Sequence, residues 1–374
     1  MISRRAVLAT AVAGVAAAGG VAVTREAGAA EGTDPSVPHT LTRRSIRRDT
    51  GVRVERTTFP LSHLAVGWSG ADRPAVRIRS ATGWGDWQAP HTCGGGKDGA
   101  PAQPRWDLLR TPGAVGYEIA STAGPGTLTV TELNTVDGPA RTVAAAPTDT
   151  LRLGSRSAPI RYLRRAAWGA DESLRFDTDG TELWPPEYFP VQTLTVHHTA
   201  TANNDPDPVA TMRAIYYYQA VTQGWGDVGY HLLIDEAGTV YEGRWSGPDP
   251  IPVFGTQPGP DGRPQMVNAG HALGYNAGNI GVALIGDLTD QLPTPAARRS
   301  LVLVLATLAG VERLDPVGTA DYVNPVSGAA KTVNVISGHR DWLPTECPGN
   351  RFYPELPALR HDVAQTVRQI HTVA

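Results

Sequence analysis

The chain has 374 residues, 41% hydrophobic and 18% charged, with a formal net charge of −3. That length predicts two domains, and so low a charge fraction excludes disorder driven by charge. Two cysteines, Cys93 and Cys347, exclude a disulfide-dense scaffold and a four-cysteine zinc site, and the near-neutral balance leaves no nucleic-acid footprint.

Residues 1–30 read as a secretory signal. Arg4 and Arg5 head an uncharged stretch over 6–23, and Ala27-Gly28-Ala29 is a small-residue cleavage site. Ser3-Arg4-Arg5 with Leu8 resembles the twin-arginine type. Gly14, Gly19 and Gly20 weaken the alternative of a spanning helix. No later stretch reaches about 18 apolar residues, so the mature chain is expected to be exported, secreted or wall-associated, without a membrane span.

Residues 31–134 predict a smaller all-β, sandwich-like domain. VRVERTTF, HLAVGWS, AVRIRSA, GYEIAST and TLTVTEL alternate or are β-branched, and Gly- and Pro-containing turns separate them. Trp84 and Trp87 fit either edge packing or a platform for sugars. Residues 135–160, rich in Pro, Ala, Thr and Ser, read as a linker. From 161 to 374 strand candidates (LTVHHTA, GYHLLID, NIGVALIG, TVNVISGH) alternate with helical windows beginning at Val209, Pro295 and Leu356. Thr294-Pro295 is a helix-start signal. This pattern predicts an α/β domain with a mixed sheet flanked by helices. Residues 245–268 read as a long surface loop.

His197, His198, His231 and His339 fall beside strand ends, and Cys347 follows His339 by eight residues. Neutral imidazoles and a thiolate are zinc donors, and a catalytic site takes three with an open fourth position. His197, His339 and Cys347 would supply that set. Spacing alone leaves open that these are packed strand histidines, or that Cys347 is a nucleophile with His339 as base.

Residues 162–357 resemble the peptidoglycan recognition protein and type 2 N-acetylmuramoyl-L-alanine amidase family. Five blocks carry the resemblance, in the family's order: Arg165 to Ala170; Val196-His197-His198-Thr199-Ala200-Thr201; Gly224 to Ile234 continuing to Gly238 to Arg244; His271 through Asn276 to Val282; and Gly338-His339-Arg340-Asp341 to Cys347-Pro348-Gly349. The resemblance implies a zinc enzyme that cuts the amide between N-acetylmuramic acid and the L-Ala of the stem peptide, with peptidoglycan as partner and a monomer as the expected state. His197, His339 and Cys347 match its metal ligands. Tyr230 matches its active-site tyrosine, and Thr345 stands where the recognition-protein amidases have threonine; the Tyr230 hydroxyl is the candidate donor to the oxyanion, with the Thr345 hydroxyl assisting. His271 and Asn276 match positions lining the groove in relatives, and Arg244 would meet a stem-peptide carboxylate. Glu242 and His231 are the candidates for the base, and His231 is also placed against substrate. His198, Trp168 and Trp225 are assigned to packing or to support of the ligands. After Arg244 the sequence runs Trp245-Ser246-Gly247, which departs from the family's specificity signature, and residues 316–332 form an extra segment. A module that binds peptidoglycan without turnover, and a wall protein whose function lies in 31–134, are the alternatives.

Overall fold

The computed structural model describes residues 12–16, 22–27, 36–47, 51–69, 72–91, 95–99, 105–121, 127–143, 149–153, 160–248 and 252–371. Cys93 and most of the expected signal, including Gly28 and Ala29 of its cleavage site, lie outside them. The described parts of the signal, Val12–Ala16 and Ala22–Ala27, pair antiparallel, and the second continues onto Asp149–Leu153. Among the described residues no helix is long and apolar enough to cross a membrane.

The α/β region is organised on a mixed sheet. Its strands run in the order Ile160–Leu163, Val240–Glu242, Leu232–Ile234, Asn279–Leu284, Thr193–His198 and Ile336–Gly338. Thr193–His198 is parallel to both of its neighbours, whereas Leu232–Ile234 and Val240–Glu242 form an antiparallel pair. Both faces are covered, which is why these strands read as near-continuous apolar runs. Helices Pro295–Val311 and Leu356–His371 cover one face, packing Leu301, Leu305 and Leu359 on Leu194, Val196 and Ile280. Thr294 starts the first of these helices as expected, its hydroxyl accepting from the Ala297 N–H at 3.1 Å, with Pro295 in the first turn. Helix Pro208–Tyr217 covers the other face, capped by Asp207, and continues as a π-helical turn over Tyr218–Thr222. Successive side chains of a strand alternate faces. Leu194 and Val196 therefore join the first face, and His197 turns to the second.

The N-terminal module is one antiparallel six-stranded sheet, in the order Leu41–Arg47, Leu128–Asn134, Gly51–Trp68, Arg105–Ser121, Ala75–Ser80 and Gly83–Trp84. These strands form a single continuous sheet instead of two hydrogen-bonded layers. The long strand Gly51–Trp68 shifts register against Arg105–Ser121 between Arg56 and His63, and such bulges bend a strand. Leu61, Leu64, Val66, Trp68, Val76 and Ile119 fill the module's own core. Ala65, Leu108 and Leu133, on the opposite side of the same strands, join Met212, Ile215 and Leu233 of the α/β region. Residues 61–68 are buried without a break because both of their faces are covered.

The described parts of the segments read from sequence as linker and loop pack against the rest of the chain. Thr135 is fully buried, its hydroxyl donating to the Ala210 carbonyl at 2.9 Å. In the 245–268 stretch, Gln265–Val267 pairs with Tyr188–Pro190, and Val253, Phe254 and Met266 are buried with Leu301 and Leu305. The 316–332 segment contributes a hairpin, Thr319–Val323 with Ala330–Asn334, whose Tyr322 and Val333 pack on Ala272 and Trp342.

Candidate metal centre and cleft

His197, His339 and Cys347 come together. Their donor atoms lie within 4.8 Å of one another and all three residues are buried. His197 is the last residue but one of its central strand. His339 follows the neighbouring strand Ile336–Gly338 and opens a short turn, His339–Asp341. The Arg340 N–H donates to the Cys347 carbonyl at 3.1 Å, which ties the second ligand's segment to the third's. The Cys347 N–H donates to the Thr345 hydroxyl at 3.2 Å, so Thr345 shapes the turn that presents the sulfur.

The hydrogen bonds determine which atom of His197 faces the cluster. The Asn279 carbonyl only accepts, so His271 carries its hydrogen on Nε2, 2.8 Å away. Nδ1 of the neutral His271 ring then accepts from Nε2 of His197 at 2.9 Å. His197 is left with a bare Nδ1, which lies 3.7 Å from Cys347 Sγ. That is the tautomer a metal ligand needs. Burial, and next the neighbouring His339 and His271, hold the His197 pKa well below its ordinary value, and burial takes His271 down to about 4. Both rings are therefore neutral at pH 7. The His198 N–H donates to Cys347 Sγ at 3.4 Å, and an N–H donor to sulfur favours the thiolate. The imidazoles of His197 and His339 with the Cys347 sulfur form a donor set that fits zinc.

Tyr230 stands beside the cluster, its ring centroid 5.3 Å from that of His197, and it lines a cleft with Thr199, Thr201, Trp225 and Trp106. The other candidates divide differently. Both nitrogens of His231 are engaged with backbone, Nε2 donating to Val267 O at 2.7 Å and Nδ1 accepting from Gly281 N–H at 2.9 Å. Burial, then His271, holds its pKa down to about 3. The ring is a neutral structural group with no lone pair left for substrate or base work. Glu242 sits three strands from His197 in the sheet, roughly 14 Å at the usual strand spacing. It accepts there from the Arg165 N–H at 3.2 Å, and burial pushes its pKa up to about 7 against the pull of Arg165. The structure does not bring it to the cluster.

Arg244 is fully buried. It donates to Asp227 at 3.0 Å and to the carbonyls of Trp184 and Asn268 at 2.7 and 3.1 Å, and its guanidinium lies over the Trp184 ring. Asp227 also accepts from Arg165 at 2.8 Å. Burial raises the Asp227 carboxyl, and the two guanidiniums outweigh it, so its pKa falls below the ordinary value. This ion network is a framework, with no face offered to a stem-peptide carboxylate. Asn276 is likewise buried, its Oδ1 accepting from the Ala272 N–H at 2.7 Å. His198 accepts from the Leu288 N–H at 3.1 Å, and Trp168 donates to the Glu242 carbonyl at 2.9 Å, both as packing residues. Trp84 and Trp87 are 37% and 43% exposed and flank the guanidinium of Arg77.

Comparison with known proteins finds a family match over part of the chain. Residues 187–350 match the N-acetylmuramoyl-L-alanine amidase family. A human protein named N-acetylmuramoyl-L-alanine amidase is 32% identical over 190 residues, which are 47% of this chain and 25% of the relative. The chain thus spans a quarter of that relative's length. Peptidoglycan-recognition protein LB of Drosophila melanogaster is 28% identical over 212 residues, 56% of this chain and 73% of the relative. The solved structure of wild-type Drosophila PGRP-LB superposes with a TM-score of 0.37 at 27% identity, covering 53% of this chain and 92% of that one. His197, His339 and Cys347 all lie inside the amidase-family region, and so do Tyr230 and His271.

One part of the cleft escaped the sequence. Gly95, Trp106, Asp107 and Leu108 of the β module line it opposite Tyr230. No motif marks them, because their place depends on how the module docks.

Proposed function

We propose that this protein is an exported zinc-dependent N-acetylmuramoyl-L-alanine amidase that cuts the amide between N-acetylmuramic acid and the L-Ala of peptidoglycan stem peptides. The observation that carries this reading is the buried His197, His339 and Cys347 cluster, with the Tyr230 ring against it on the wall of a cleft. Zinc held by these three residues would supply a water of lowered pKa and a Lewis acid for the amide carbonyl. The chain's own groups do the rest. His271 holds the tautomer and orientation of His197. The His198 N–H steadies the Cys347 sulfur. Tyr230 brings a hydroxyl donor to the cluster, suited to the negative charge that develops on the amide oxygen. Thr345 holds the Cys347 turn. Among the described residues, Glu242 and His231 are both committed elsewhere, so neither is assigned as the base.

The test is digestion of purified cell-wall sacculi, with and without a chelator, read by mass spectrometry. The expected products are intact stem peptides with free N-terminal Ala and no new reducing sugar ends. Added Zn²⁺ restores the chelated protein, and Cys347→Ala and His197→Ala abolish release. Unchanged hydrolysis by either variant refutes the zinc reading. Loss of activity to a thiol alkylator without any effect of the chelator would place Cys347 as a nucleophile instead. Pelleting on sacculi with no release would leave a binding module.

A further inference from the structure

The candidate metal centre is closed to substrate. His197, His339 and Cys347 are at most 1% exposed and Tyr230 is 8% exposed. The free space beside Tyr230 is about 40 Å³, room for about three waters at ~10–15 Å³ each. A ligand of several rings or residues needs roughly 300–1,000 Å³. Part of the chain must therefore move before a stem-peptide amide reaches the cluster.

Residues 95–99 of the β module lie on the floor segment 270–277, which carries His271 and Asn276. Gly95 is so flat on it that a Cβ there would stand 3.1 Å from the Gly270 oxygen and 3.9 Å from the His271 Cα. The Gly96 N–H donates to the Gly270 carbonyl at 2.9 Å, and the Lys97 ammonium donates to the Trp225 carbonyl at 3.4 Å. The Asp98 carboxylate accepts from the backbone N–H groups of Gly274 at 2.7 Å, Asn276 at 3.2 Å and Ala277 at 3.4 Å. It also accepts from Nδ2 of Asn276 at 2.5 Å and of Asn324 at 2.9 Å. Five donors on one carboxylate make a latch, and Asn324 brings the extra 316–332 segment into it. Asn276 has the sequence position of a groove residue, yet its Nδ2 is taken up by Asp98 and by the Gly96 carbonyl, the latter at 2.8 Å. The neighbouring wall is fixed: Leu108 shares a core with Met212 and Ile215, and Trp106 meets Tyr218 edge to face with ring centroids 6.1 Å apart. The strap belongs to no strand, so lifting it breaks no pairing of the β sheet.

We infer that residues 95–99 are an autoinhibitory strap: the Asp98 latch holds them over the floor beside the metal centre, and turnover requires that they lift. This rests on the amidase reading, which supplies the substrate that the strap excludes. The β module then does more than accompany the amidase-family region, because it sets the fraction of molecules open to substrate. A site competent only in a minor open state shows its catalytic efficiency scaled down by that fraction, so weakening the latch raises activity.

The experiment uses the full chain loaded with Zn²⁺, on sacculi and on a soluble muramyl pentapeptide. Asp98→Ala removes all five latch bonds, and Gly95→Val wedges the strap off the Gly270 carbonyl without touching the latch. One hydrogen bond to a charged group is worth a factor of about ten or more, so Asp98→Ala should raise kcat/KM at least about tenfold, and Gly95→Val should raise it too. Gly96→Cys with Leu273→Cys does the reverse. A Cβ on Gly96 would stand 3.6 Å from that of Leu273, within reach of a disulfide. Oxidised, the pair should cut at least about tenfold more slowly than when reduced. A second readout needs no turnover: in the metal-free chain, iodoacetamide should label Cys347 about tenfold faster in Asp98→Ala than in wild type, measured on the Cys347 peptide by mass spectrometry. If wild type cuts sacculi and Asp98→Ala is no faster, the strap is overturned; an oxidised pair that cuts as fast as the reduced one overturns it equally. Faster labelling with no hydrolysis by any form overturns the amidase reading and leaves the closed strap. Unchanged labelling with no hydrolysis overturns both.

Discussion

His271 offers the sharpest test of how the cluster is organised, because it touches no donor atom of the cluster except through His197. Replacing it with Phe keeps a ring in the space against Gly281, where an added Cβ would lie 2.5 Å from the His271 ring. The change deletes both of its hydrogen bonds. The Nε2–H of His197 and the Asn279 carbonyl, both buried, then lose their partner. Each orphaned group costs about 1–3 kcal/mol, so the metal-free protein should lose roughly 2–4 kcal/mol after partial relaxation. Freed of its acceptor, His197 is no longer held with Nδ1 toward Cys347. Losing such an outer hydrogen bond typically weakens a metal site 10- to 100-fold, or about 1.4–2.7 kcal/mol. The assay is competition for Zn²⁺ against a chromophoric chelator at pH 7.5, paired with urea unfolding of the metal-free form. Zinc affinity within about twofold of wild type, in a variant that has lost the stability expected, would refute the claim that His271 sets the tautomer of His197.

Other outcomes follow from the same geometry. Gly281→Ala should displace the His271 ring and weaken zinc in the same direction, read by the same competition assay. Arg244→Leu should cost about 3 kcal/mol in urea unfolding, because it strips one of two guanidiniums from the buried Asp227, while KM of the folded fraction stays at wild type; a selective rise in KM would return Arg244 to substrate binding. His63 lies buried between the modules, bonded to Ser62 at 3.0 Å and Thr211 at 3.1 Å, and burial lowers its pKa from 6.5 to about 3. Its folded pKa is depressed, so the unfolded chain takes up the proton first. Stability is complete above pH 6.5 and is lost as pH falls toward 3, by about 2–3 kcal/mol at pH 4.5. Unfolding of wild type and His63→Asn at pH 7 and 4.5 should show the gap between them narrowing by that amount; a gap that does not change with pH contradicts the assignment.

What the sequence made legible was whatever is encoded locally. The strand that carries His197, the His339 to Cys347 turn and the Thr294-Pro295 helix start each sit within a few residues of their own signals. The Asp98 latch and the Trp106 wall join segments more than a hundred residues apart, and no spacing rule reaches that far. Arg244 and Glu242 show the other limit. Their neighbours in sequence placed them near the site, but a side chain's destination depends on which face its strand turns and how many strands intervene. Glu242 is three strands away, and Arg244 turns into a pocket of carbonyls closed around Asp227. The strand HLAVGWS reads as an ordinary one, although residues 61–68 are buried on both faces, because one-sided and two-sided burial differ only in what lies opposite.

Ala65, Leu108 and Leu133 share a core with Met212 and Ile215. A chain cut near residue 160 would therefore expose oily surface on both fragments, and neither would be a finished globule. The natural unit for melting, for proteolysis and for inheritance is the pair. In calorimetry it should give a single peak with equal van't Hoff and calorimetric enthalpies. The β module is joined to its partner as one half of a walnut is to the other, so a lineage that lost it would have had to repaint that face of helix Pro208–Tyr217 with polar side chains.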